Sequence, residues 1–174
     1  MKTSRWWLLA TFSILLLAPA CVDPPSPSTG ASLERDNLVG AWRSKIRFNG
    51  GALAEIKDLE FLYAFNLGGT MTESSNYDGA PPVPPAYGVW RKYGLHQLEA
   101  KYMFFVTTPP NTFEDIAKGG GWSPSGYGVL TENVTLSEDG QSYASTIAYI
   151  LFGQSGKSME GGGTATGTAT RMMF

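Results

Sequence analysis

The feature that most constrains this chain is a period of two. Residues 40–48 alternate between Trp42, Ser44, Ile46 and Phe48 on one side and Arg43, Lys45 and Arg47 on the other. Residues 59–67 place Leu59, Phe61, Tyr63, Phe65 and Leu67 on a single face. Successive side chains of an extended strand point to opposite faces, whereas a helix would scatter these positions around its circumference. The alternation therefore predicts half-buried strands.

Further strands are read at 70–76, which is polar, and at 86–93, 95–106, 127–137, 141–152 and 163–173. Between the strands stand turn signals. Gly68-Gly69 supplies the positive φ of a tight hairpin, Gly94 makes another turn, and "SEDG" at 137–140 a third. "YDGAPPVPP" cannot pair inside a sheet, because proline has no N–H to give. Residues 107–126 read as a Pro/Gly-rich excursion. Helical character is confined to 33–38 and part of 111–118. The Thr-rich "TATGTAT" reads as a strand, since threonine favours that state. Eight strands in local order predict an all-β, antiparallel, up-and-down barrel. Eight is also the size at which closure removes the open edges and leaves room for side chains or one small ligand.

The first 20 residues do not fit this pattern. Lys2 and Arg5 precede an apolar run, Trp6–Leu17, which ends at small residues. That order is a cleavable export signal, and the run is shorter than the ~20 residues a membrane span needs. Ala18-Pro19-Ala20 fits the ordinary cleavage pattern. Cys21 directly after it resembles a bacterial lipoprotein box, with Ala18 where leucine is usual. Cys21 is the only cysteine, so it has no disulfide partner within the chain. The expectation is lipidation at Cys21, with plain secretion as the other outcome. Val22 rather than aspartate follows it, which favours the outer membrane over the inner. Residues 21–32, rich in proline and serine, form the lipid anchor and a flexible linker. The barrel domain then occupies 33–174.

Acidic residues outnumber basic ones by 15 to 13, and two of the basic ones lie in the leader. No basic run occurs, so nucleic acid is not an expected partner. With one histidine and one cysteine, a Cys/His metal site is not expected either, and no motif points to a cofactor.

"NLVGAWR", with Gly40-x-Trp42 opening the first strand, resembles the start of a lipocalin-like (calycin) barrel. The resemblance covers this motif, the strand number and an arginine near the end. It implies that Trp42 plugs one end of the barrel and that Arg171, from the last strand, lies across it. A guanidinium over an indole is a sound plug, because the cation meets the negative ring face. A small bacterial barrel of this kind implies a binder of one small hydrophobic molecule. The strand number is equally similar to that of allene oxide cyclase-like barrels, which implies an isomerase or cyclase as the alternative. A structural lipoprotein with a filled barrel is the third reading.

Inward phases then give the candidate site residues. Phe61, Tyr63, Phe65, Tyr102, Phe104 and Tyr149 supply rings and hydroxyl handles that either line a cavity or fill a core. Along 127–137 the even positions are Gly128, Leu130, Glu132, Val134 and Leu136, which points Glu132 inward among aliphatics. A buried carboxylate is costly unless paired or protonated. Glu132 is therefore a ligand anchor or an acid/base group, unless a bulge turns it outward or an arginine such as Arg91 pairs with it. His96 is the other weak catalytic candidate, at a rim position after the Gly94 turn.

Overall fold

The computed structural model describes residues 38–51, 53–77, 84–117 and 121–174. Cys21, the leader and the linker lie outside the described residues, as do residues 33–37.

Alternating strands close on themselves. The elements are β1 (Gly40–Phe48), β2 (Glu60–Phe65), β3 (Thr70–Ser75), β4 (Ala86–Lys92), β5 (Gln97–Thr108), α1 (Phe113–Ala117), β6 (Ser123–Leu136), β7 (Ser142–Gly153) and β8 (Ser158–Arg171). Each strand pairs antiparallel with its sequence neighbour, and β1 pairs with β8 to complete a closed barrel. The all-β, eight-stranded reading is what the chain adopts.

Strand limits differ from the sequence reading in informative places. Leu67 is not a core residue: it sits in the β2–β3 turn and is 84% exposed. Both β6 and β8 start earlier than composition suggests, inside Pro- and Gly-rich stretches. Pro124 pairs with Thr107 immediately beyond a register shift in β5, where a missing ladder donor is tolerated. Part of 111–118 is helical, as the short α1.

The interior fills by size complementarity. Along β8, Ala165 and Ala169 are buried with Gly167 between them, while the threonines face outward. These small residues leave space for the large groups that share the interior, Trp42, Tyr63, Tyr102 and Tyr143, all essentially buried. Two ion pairs, Arg43–Glu60 and Arg91–Glu99, decorate the outside.

An up-and-down barrel puts alternate connections at opposite ends. The start of β1, the turns at 66–69, 93–96 and 137–141, and the end of β8 therefore share one end. That end is sealed. The Arg171 Cζ lies 4.3 Å from the Trp42 ring centroid. Arg171 Nε donates to Gly140 O at 2.9 Å and Nη1 to Val39 O at 2.6 Å. Trp42 Nε1 donates to Leu38 O at 2.8 Å, and Tyr143 packs on the indole at 5.0 Å between centroids. Gly40 is required twice over. Its φ is +135°, and a Cβ there would lie 2.8 Å from Arg171 Nη1.

Candidate functional site

The opposite end carries the longer connections, 49–59, 76–85 and 109–122. There the barrel is not filled. A cavity of about 360 Å³ opens between the strands and these loops. Phe61, Phe104, Leu130 and Tyr149 supply its barrel-side wall, and Leu53, Tyr77, Pro109 and Trp122 its rim. Such a volume lies at the small end of the roughly 300–1,000 Å³ usual for small-molecule sites.

Local sequence sets where the cavity stops. Phe104 and Tyr149 stack across β6 with centroids 6.3 Å apart, and Phe48 meets Tyr149 edge-on at 5.8 Å. They can do so because Gly128 stands between them: a Cβ there would come within 2.5 Å of the Phe104 ring. One inward step further toward the sealed end, each strand replaces its cavity-lining residue with a packed one. Phe61 gives way to Tyr63, Phe104 to Tyr102, and Leu130 to Glu132.

These three packed residues form one cluster. Tyr63 Oη and Tyr102 Oη each donate to Glu132 Oε2 at 2.9 Å, and the two hydroxyls are 3.1 Å apart. Glu132 has no solvent exposure. Ser145 is close enough to help hold the carboxyl pKa down, but neither its hydroxyl nor Glu132 Oε1 completes a hydrogen bond of normal geometry. Burial outweighs these hydrogen bonds and raises the Glu132 pKa above the usual carboxyl range. Burial, with the neighbouring Glu132, also pushes the hydroxyls of Tyr63 and Tyr102 well above the ordinary phenol value. A carboxyl whose ionisation burial disfavours, held by two phenols disfavoured in the same way, is a structural polar knot.

Glu132 therefore faces inward, as the alternation implies, and its partners are not those considered from sequence. Arg91 is on the outer face and donates to Glu99. No bulge turns Glu132 to solvent, since it stays in register with Ala100 and Ile147.

A second interior carboxyl stands on the cavity wall. Glu73, on β3, is 7% exposed, and its Oε1 has no hydrogen-bond partner. Burial first, then the proximity of Glu132, pushes its pKa up to about 8. The alternation carries the signal for it. The Gly68-Gly69 turn pairs Phe65 with Met71 and Tyr63 with Glu73, so the partners of two inward aromatics face inward as well.

The expected ligand-facing set divides in two. Phe61, Phe104 and Tyr149 line the cavity, while Tyr63, Phe65, Tyr102 and Glu132 are packed toward the sealed end and are not part of its wall. Phe65 packs against Tyr63 and Trp90. His96 is in the β4–β5 turn at the sealed end, where its carbonyl accepts from Leu136 N. It is thus at the wrong end to assist at the cavity. Trp42 and Arg171 meet as a pair. Among the described residues, no group of three or more His, Cys, Asp or Glu side chains is placed to hold a metal ion.

No family model, curated protein or solved structure matches this chain.

Proposed function

We propose that this chain is an exported, lipid-anchored binding protein whose lipocalin-like barrel carries one small, mainly apolar molecule. The observation behind this reading is the cavity of about 360 Å³ at the open end, aromatic on its walls and holding the unpartnered carboxyl of Glu73. A filled barrel would leave no such space. The Gly40-x-Trp42 opening with Arg171 across the indole supports the lipocalin-like assignment. The basic–apolar–small leader ending at Cys21 supports export and anchoring, with the outer membrane as the address because Val22 follows.

The isomerase or cyclase reading loses the carboxyl on which it was built. Glu132, the carboxyl with tyrosine partners, has no wall of the cavity and so no contact with a molecule inside it. An acid/base role needs hydrogen-bond reach of the reacting atom.

Two measurements test the reading. The purified protein is expected to take up one equivalent of an apolar fluorescent probe, and Ser75→Trp, which fills the cavity from its wall, is expected to abolish uptake without loss of fold. A wild-type protein that takes up no probe would end the carrier reading. Separately, Cys21→Ser should move the protein from the membrane to the soluble fraction and prevent incorporation of labelled palmitate. An unlabelled wild type would end the anchor.

A further inference from the structure

The carrier reading leaves open what chemistry the cavity accepts, and the distribution of charge inside the barrel narrows it. Among the described residues, the cavity wall includes no lysine, arginine or histidine. Its ionisable members are Glu73, Tyr77 and Tyr149. Glu73 Oε1 is buried and unpartnered, and Glu132 stands behind it with its own unpartnered Oε1. The groups facing this pair are the hydroxyls of Tyr63 from β2 and Tyr102 from β5, both already committed to Glu132, and Tyr143 and Ser145 from β7, which lie on the Glu132 side. Two acidic side chains therefore share an apolar interior, and the ion pairs found among the described residues are both on the outer surface.

Three ligand classes meet this interior differently. A fatty acid would bring a third carboxyl against two, with no cation among the described lining residues to receive it. A neutral hydrocarbon would cover Glu73 Oε1 and leave it unsatisfied, at the full cost of a buried polar atom. An ammonium group would satisfy that oxygen and neutralise the carboxylate, and Phe61, Phe104 and Tyr149 would present ring faces to the cation and to its apolar body.

We infer that the cavity selects a small cationic amphiphile, an apolar or aryl body bearing one protonated amine, and that the amine seats on the Glu73 carboxylate. This rests on the carrier reading and assigns the ligand class within it. The proton balance follows. An alkylamine enters as ammonium. Below about pH 8 the empty site holds Glu73 protonated. Formation of the ammonium–carboxylate pair therefore releases one proton from Glu73 to solvent.

The test uses the full barrel with its linker and a matched trio of probes: phenylbutylamine, phenylbutanol and phenylbutanoic acid. Calorimetric titration at about pH 6.5, in two buffers of different ionisation enthalpy, gives affinity and protons released together. The amine is expected to bind at least about tenfold more tightly than the alcohol or the acid, a difference of about 1.4 kcal/mol, with close to one proton released. Glu73→Gln is expected to remove the amine preference, bringing the amine level with the alcohol measured on the same variant. Equal or tighter binding of the acid or alcohol would overturn the amine assignment and leave the carrier reading standing. The comparison of the three probes is made on the wild type and does not depend on the variant folding. Failure of all three probes, together with the apolar fluorophore, would instead end the carrier reading.

Discussion

Arg171 lies 4.3 Å above the Trp42 ring while two of its nitrogens bond the carbonyls of Gly140 and Val39. The guanidinium thus ties the first strand, the last strand and the β6–β7 turn into one seal.

Removing the indole should cost about 3–5 kcal/mol, because Trp42 is fully buried. Arg171→Ala should cost less, about 1–3 kcal/mol, for a cation over a ring and two charge-assisted bonds. A double-mutant cycle by chemical denaturation should give a coupling energy of about 0.5–2 kcal/mol. Gly40→Ala should weaken that coupling, since its Cβ would occupy the space of Arg171 Nη1. Additive single-mutant effects would mean that the contact contributes nothing.

The Tyr63–Tyr102–Glu132 knot distinguishes charge from shape. Glu132→Gln keeps an acceptor for both hydroxyls and removes the ionisable group. Its unfolding free energy should stay within about 1 kcal/mol of wild type near pH 5 and exceed it near pH 8. Glu132→Ala should cost at least about 2 kcal/mol at both, through two stranded phenols and a void. If glutamine proved as damaging as alanine near pH 5, the buried charge itself would be needed.

Raised interior carboxyls also fix how stability depends on pH. In the unfolded chain Glu73 ionises at about pH 4.3. In the folded barrel it does so at about 8. Between those values the folded state binds more protons than the unfolded one. Stability should therefore be greatest at or below about pH 4.3 as far as this group is concerned, fall by about 1.4 kcal/mol per pH unit as pH rises, and level off near 8. Glu132 is shifted in the same direction and steepens the fall. Thermal unfolding from pH 5 to 8 should show a falling Tm, with a shallower slope in Glu73→Gln. A Tm that did not fall over this range would mean that neither carboxyl ionises at a raised pKa in the fold.

What the sequence disclosed depended on whether the deciding force was local. The limits of β1 and the inward phase of Glu132 follow from alternation alone, and both stand in the structure. Leu67 fits the same alternation but is exposed, because the Gly68-Gly69 turn takes the chain out of the sheet first. The early starts of β6 and β8 are set by hydrogen bonding to partner strands, which the Pro- and Gly-rich composition does not report. Glu73 was reachable only by carrying the inward phase of β2 across its hairpin, since "TMTESS" by itself reads as an undistinguished polar strand. The cavity was not legible at all. Phe61 and Tyr63 have the same phase and similar rings, yet one lines open space and the other is packed solid. Height within the barrel decides between them, and height depends on strand tilt and on the loops above.

The pairing of Trp42 with Arg171 across the β1–β8 seam also sets an order of assembly. Every other strand pair joins sequence neighbours, so those ladders can form as soon as two adjacent segments exist. The seam must wait for the entire domain, and closing so long a loop is the kind of non-local step that slows β-rich chains. A nascent chain grows from its N-terminus. Throughout synthesis β1 holds an unpaired edge of the sort that recruits foreign strands. Its charged outer residues, Arg43, Lys45 and Arg47, lie along that edge and oppose such recruitment until the last strand arrives. The first strand made is the last to be fully bonded.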